Sequence, residues 1–153
     1  MTFAVATSDG RPIPTEGVTD LMLEMLELGP SDKLLEIGTG TATQTERWAA
    51  TGCEVHSIEL KPLIPADDSF ANIKLHIGDG RLGLPEAAPF TAIVATCGFK
   101  DIPEPWRRQL AEGGRMVVPV GDETIQKLTL LRKQGGEVKA ERIAAYTRFV
   151  MAE

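Results

Sequence analysis

The chain has 153 residues, 42% of them hydrophobic and 25% charged, with a formal net charge of -6. That length fits one domain with one sizeable core, taken here as residues 1–153. An acidic surface repels phosphate backbones, and the short basic groups Arg107-Arg108 and Arg132-Lys133 read as solvated faces, so nucleic acid is not expected as a partner. The two cysteines, Cys53 and Cys97, form no CxxC pair, so neither zinc nor a redox dithiol is indicated and no metal is expected. The opening MTFAVATSDG lacks the basic start and long apolar stretch of a signal peptide. No apolar run approaches the roughly 18 residues of a membrane span. A cytoplasmic protein with no membrane partner is the expectation.

In chain order, TEGVTDLMLEMLEL (15–28) places Val18, Leu21, Met22, Met25 and Leu26 on one face at helical spacing, with Thr15 as N-cap and Gly29-Pro30 as the stop. KLLEIG (33–38) is a short apolar strand, ATQTERWAAT (42–51) suits a helix and Gly52 its C-terminal cap. EVHSIEL (54–60) is the second strand. Prolines 62 and 65 leave room for one helical turn before IKLHIGD (73–79), the third strand. TAIVATC (91–97) is an unbroken apolar run of the kind buried parallel strands use. EPWRRQLAEGG (104–114) reads as a helix closed by glycines, and GRMVVPVG (114–121) as the fifth strand. QKLTLLRK (126–133), VKAERIAA (138–145) and YTRFVMA (146–152) read as further strands with no helices between them. Alternating strands and helices followed by strands alone predict a doubly wound α/β sheet, mostly parallel and Rossmann-like, with antiparallel C-terminal edge strands. Ligands of such sheets bind at the carboxyl ends of the strands, near the point where strand order reverses.

Three features fall at those ends. Glu36-Ile37-Gly38-Thr39-Gly40 follows the first strand, and its glycines permit a sharp turn and close approach of a ligand. Glu59, with Leu60 after it, ends the second strand 19 residues beyond Gly40, where an acid can accept from both ribose hydroxyls. Gly78-Asp79-Gly80 ends the third, where a carboxylate can accept from an adenine amino group. Together they predict an adenosine ligand. The third glycine of a dinucleotide fingerprint is absent at Thr43, no GK[ST] follows, and Glu36 would repel a pyrophosphate. An acid there suits the sulfonium and ammonium of S-adenosylmethionine. His56 and His76 each lie inside a strand and read as packing residues rather than catalysts.

LLEIGTGTATQT, HSIEL, IGDGRLGLPEAAPFTAIVAT and DIPEPWRRQLAEGGRMVVPVG, continuing through QKLTLLRK to RFV, resemble the protein-L-isoaspartate O-methyltransferase family over nearly the whole chain. The resemblance implies a class I methyltransferase fold, S-adenosylmethionine as cofactor with S-adenosylhomocysteine as product, and the carboxylate of an isoaspartyl peptide as acceptor, whose methylation starts its repair. Carried over by position, Glu36, Gly38, Thr39 and Gly40 would line the methionine side, with Gln44 and Thr45 in the following helix. Glu59 would hold the ribose, Asp79 and Gly80 would border the adenine, and Thr96 would lie near the methyl group.

The chain departs from the family pattern in places. Ala42 replaces a third glycine, and Thr43 an aromatic residue. No counterpart of the family's helical N-terminal cover is expected in these residues, Pro14 stands where a serine lies by the substrate carboxylate, and Thr15 is the nearest hydroxyl. The segment between Glu59 and Ile73 is short. Two functions are therefore expected. One is methylation of a carboxylate in a peptide, a protein or a small molecule, with Thr15 and Thr96 as the catalytic pair. The other is a cofactor-binding module with little activity of its own, completed by an oligomer or partner subunit that covers the cleft. An exposed apolar patch around Val18, Met22 and Phe99 would mark the second.

Overall fold

The structure, a computed structural model, describes residues 5–6, 12–13, 16–61 and 71–152. Thr15, Pro14 and the expected turn after Pro62 lie outside the described residues. Two short strands, β1 (Val5–Ala6) and β2 (Pro12–Ile13), pair antiparallel. The main sheet comprises β3 (Lys33–Ile37), β4 (Glu54–Glu59), β5 (Ile73–Ile77), β6 (Phe90–Ala95), β7 (Leu110–Gly121), β8 (Gln126–Gln134) and β9 (Glu137–Thr147). Their order is β5-β4-β3-β6-β7-β8-β9. The first five run parallel, and β8 and β9 are antiparallel additions, as the sequence predicts. Strand order reverses between β3 and β6, so the glycine turn after β3 sits at the switch point.

Period-2 alternation sorts the buried side chains onto two faces. Leu34, Val55, Val94 and Val117 pack under helices α1 (Glu16–Leu26) and α2 (Thr43–Ala49). Leu35, Ile58, Ile93, Met116 and Val118 pack on the other face with Trp106 of helix α3 (Glu104–Gln109). Val18, Met22, Met25 and Leu26 of α1 are buried, as their spacing predicts. The apolar patch that would mark a partner-covered module is not exposed: Val18 is 3% exposed, Met22 0% and Phe99 6%, the last packed edge-on against Trp106. His56 and His76 are also structural, with stacked rings and His56 bonded to both His76 and Glu54.

Two elements differ from the sequence reading. The helix expected over 104–114 ends at Gln109, because Lys133 reaches from β8 and donates to the carbonyls of Arg107 and Leu110 (2.8 and 2.9 Å). Leu110 already pairs with Phe90, and the ladder resumes at Ala92 with Arg115, so residues 111–114 bulge through Gly113 at φ +78°. The two strands expected over 138–152 are one strand, β9, ending where its partner β8 begins, with Gln126 opposite Thr147. Beyond it the chain turns to pair with Gly98, held by the buried Gln126, whose Oε1 accepts from Phe149 N–H (2.6 Å).

Arg115 ties the layers together. It forms a two-pronged pair with Asp32 (3.0 and 2.9 Å) and donates to the carbonyls of Leu26, Glu27 and Thr91. The end of α1, where Glu27 has φ +48°, is thereby closed by a side chain rather than by glycine. Burial pushes the Asp32 carboxyl up, but hydrogen bonds led by Arg115 outweigh it and hold the pKa below its ordinary value. Arg115→Met leaves this carboxylate and three carbonyls short of a donor, and is expected to cost about 3 kcal/mol in urea unfolding. Arg115→Lys is expected to recover less than half of that, because an ammonium cannot make the two-pronged contact.

Candidate functional site

The carboxyl ends of β3, β4, β5 and β6 meet at the switch point. After β3 the backbone turns through Gly38 (φ +97°) and Gly40 (φ +55°), closed by the Ala42 N–H donating to Thr39 O (2.9 Å). No atom lies within 4 Å of a Cβ built on Gly40, so the outer face of the turn is open. Glu59 stands beside it: Oε1 accepts from Gly40 N–H and Oε2 from Leu60 N–H, both 3.1 Å. Leu60 is exposed at the end of β4. After β5, the exposed Asp79 accepts from Arg81 N–H (3.0 Å) through Oδ1 and opens a short 3-10 turn, Gly80–Leu82. α3 clamps this loop: Trp106 Nε1 donates to Gly80 O (2.8 Å), while Gln109 takes Leu84 N–H and donates to Leu82 O (2.8 and 2.9 Å).

The glycines have different reasons. A Cβ on Gly80 would lie 2.6 Å from Ile37 Cγ2, and one on Gly78 3.3 Å from Ile58 Cδ1. Gly80 is needed for packing against the sheet, and at Gly78 a Cβ would be a tight fit. Gly38 meets Thr96, whose Oγ1 would be 2.8 Å from an added Cβ. Thr96, at the end of β6, donates its hydroxyl to Gly38 O (2.6 Å) and holds the turn against that strand.

The structure divides the residues picked out from the sequence. Gly38, Gly40, Glu59, Leu60, Gly78, Asp79, Gly80 and Thr96 come together around the open turn. The side chains of Glu36, Thr39 and Thr45 turn inward instead. Glu36 is 0% exposed, and its carboxylate accepts from Ser57 (2.6 Å), Thr45 and Trp48 Nε1. Ser57 Oγ lies 2.6 Å from Thr39 Oγ1. Gln44 is buried in α2. Fully buried and bonded to three donors, the Glu36 carboxylate is not accessible to a ligand's ammonium, contrary to the expectation from its position. Sequence reasoning missed Ser57, Trp48, Trp106 and Gln109. Ser57 is opposite Glu36 in the parallel register, a relation that appears only once the strands are paired. Among the described residues, no group of three or more His, Cys, Asp or Glu side chains is placed to hold a metal.

Residues 8–153 match the protein-L-isoaspartate(D-aspartate) O-methyltransferase family. The chain belongs to this family. Protein-L-isoaspartate O-methyltransferases similar to it include one from Roseiflexus castenholzii, 36% identical over 96% of this chain and 70% of that one. Another, from Anaeromyxobacter dehalogenans, is 39% identical over 92% and 72%. A solved protein-L-isoaspartate O-methyltransferase superposes with a TM-score of 0.82 at 27% identity, over 97% of this chain, which spans half of that protein's length. A Plasmodium falciparum structure holding S-adenosyl-L-homocysteine has the same fold, with a TM-score of 0.78 at 19% identity over 100% of this chain and 81% of that one. The family's activity class is S-adenosylmethionine-dependent carboxyl O-methyl transfer.

The donor and acceptor set fits that cofactor. An open glycine turn leaves room for a ligand, and two acids at successive strand ends can accept from ribose hydroxyls and an adenine amino group. The exposed Leu60 and Leu82, next to Glu59 and within the turn after Asp79, offer apolar surface for a flat ring.

Ala42, at the position of the family's third glycine, takes φ +65° as the residue before α2 and is buried. A left-handed conformation costs a non-glycine residue about 1–2 kcal/mol, against the roughly 0.5–1 kcal/mol of entropy a glycine loses. Ala42→Gly is therefore expected to raise stability by about 0.5 kcal/mol in chemical denaturation and to tighten cofactor binding measured by calorimetry.

Burial pushes the Glu36 carboxyl up to about 7, against hydrogen bonds from Ser57, Thr45 and Trp48 that pull it down, with the Glu59 charge adding to the rise. The folded state then holds a proton that the unfolded chain has lost. This contribution to stability is complete below pH 4.5 and disappears as pH rises to about 7. Unfolding free energy is expected to fall by on the order of 3 kcal/mol across that window from this group, and Glu36→Gln to lack this component. Urea titrations at several pH values measure both.

Proposed function

We propose that the acceptor is the side-chain carboxylate of an isoaspartyl residue in a peptide or protein. The observation that supports this best is the match of residues 8–153 to this family, and the open turn at Gly38–Gly40 beside Glu59 supports the cofactor that the transfer needs. S-adenosylmethionine, when bound, supplies an electrophilic methyl group on a sulfonium. The backbone of Gly38, Thr39 and Gly40, with Gln44 behind it, would seat its methionine part. Glu59 would hold the ribose, and Leu60, Gly78, Asp79 and Gly80 would border the adenine.

Thr96 holds the glycine turn against the end of β6, and Thr15 is the hydroxyl nearest in sequence to the position of the family's serine. An acceptor carboxylate, with an ordinary pKa near 4, is ionised at neutral pH and needs no general base. The protein's part is alignment and removal of water from the nucleophile. Cys53 and Cys97 are free thiols, which suits a cytoplasmic setting.

Binding of S-adenosylhomocysteine by calorimetry, followed by transfer of labelled methyl from S-adenosylmethionine to an isoaspartyl peptide, tests this reading. Labelling of the isoaspartyl peptide but not of its aspartyl counterpart is expected. Cofactor binding with no labelling of either peptide would overturn the acceptor assignment and favour a module that needs a partner. Glu59→Ala, which removes an acceptor of charge-assisted hydrogen bonds, is expected to weaken S-adenosylhomocysteine binding on the order of 10–100-fold.

A further inference from the structure

Glu36 belongs to a network that the functional reading leaves unused. It lies on the β3 face shared with Leu34, opposite Ser57 of β4 and under α2. Its Oε1 accepts from Ser57 and Thr45, and its Oε2 from Trp48 Nε1. Ser57 spends its proton on Glu36, so the 2.6 Å contact with Thr39 is a bond that Thr39 donates. A directed relay thus runs from Thr39, inside the glycine turn, through Ser57 to the carboxylate. Glu36, Ser57 and Thr45 are each 0% exposed and Thr39 is 5% exposed, so water does not substitute for any member.

We propose that Glu36 is a positioning residue for cofactor binding, and that its buried carboxylate, through Ser57 and Thr39, holds the glycine turn in the shape that accepts S-adenosylmethionine. This rests on the cofactor assignment above. A carboxylate here anchors three elements at once: the turn through Thr39, α2 through Thr45 and Trp48, and β4 through Ser57. Hydrogen bonds to an ionised acceptor are roughly twice as strong as neutral ones.

Adding a proton to Glu36 reverses the relay. The acid becomes the donor to Ser57, Ser57 turns to donate to Thr39, and the Thr39 hydroxyl hydrogen loses its partner. The grip on the turn therefore depends on pH. The ionisable groups acting on Glu36 are Glu59 at the end of β4, whose charge favours the protonated form, and Cys97 after β6. Burial pushes the Cys97 thiol up to about 12, so it stays neutral.

The test uses the intact chain and two readouts. In the ligand-free protein, Trp48 fluorescence followed from pH 5.5 to 8.5 is expected to show a transition near 7 that Glu36→Gln abolishes. S-adenosylhomocysteine affinity by calorimetry is expected to fall about fivefold from pH 8 to pH 6 for one unit of linked pKa change, with proton release on binding. Glu36→Gln is expected to bind weakly with no such slope. Ser57→Ala, which breaks the relay but leaves the carboxylate, is expected to lose most of the affinity at pH 8 while keeping the fluorescence transition. Wild-type affinity and pH dependence in Ser57→Ala or Glu36→Gln would overturn the proposal, as would a wild-type fluorescence signal with no transition in this range. A clear transition with no S-adenosylhomocysteine binding at any pH would overturn the cofactor reading instead.

Discussion

The carboxyl edge of the sheet is organised around how one buried carboxylate is satisfied. An unpaired charge in an apolar interior is too costly to keep. Glu36 is tolerable only because a serine, a threonine and an indole N–H converge on it from two elements. That convergence sets other positions. α2 must present Thr45 and Trp48 on one face, which their spacing of three residues provides. β4 must place Ser57, rather than a larger residue, opposite Glu36 in register. Once these hold, Thr39 is drawn inward and the turn that follows has little freedom.

On this foundation the open part of the site is built by exclusion. Trp106 and Gln109 pin the loop after β5 from one side, and Gly78 and Gly80 let it lie against Ile58 and Ile37. Asp79 is thereby carried on a braced loop, although its own side chain is exposed. Glu59 is braced as well, since Gly40 and Leu60 N–H groups fix its two oxygens. The acids are positioned before any ligand arrives, so little ordering entropy is lost on binding.

Much of this arrangement was legible in the sequence. Short apolar runs separated by helical spacing identify a parallel sheet, and two glycines after the first run locate the switch point. What could not be read depends on contacts across the sheet. Lys133, far along the chain, ends α3 at Gln109, so no local signal near residues 110–114 could show the stop. The merging of two expected strands into β9 depends on the length of β8, its partner. In isolation, an acid beside glycines such as Glu36 points to a ligand. Its inward orientation follows from strand alternation and from the register with Ser57, and only the first of these is visible without pairing the strands.

The antiparallel edge has a purpose beyond extending the core. β7, β8 and β9 carry the chain away from the switch point and back, so that the tail returns beside the end of β6. There Gly98 N–H donates to Val150 O, and Ala152 N–H donates to Gly98 O, each at 2.8 Å. Glycine eases this crossing, because a Cβ on Gly98 would lie 2.8 Å from Met151 Sδ and 3.1 Å from the Gln126 side chain. Gln126 in turn grips both the N–H and the carbonyl of Phe149. The segment that begins with Thr96 is therefore held between the glycine turn on one side and the last residues of the chain on the other. Thr96 is fixed to Gly38 by its hydroxyl, and two residues later the backbone is fixed to the tail. The glycine turn and α3 thus brace the acids at the strand ends, while the C-terminal strands brace the segment that follows Thr96.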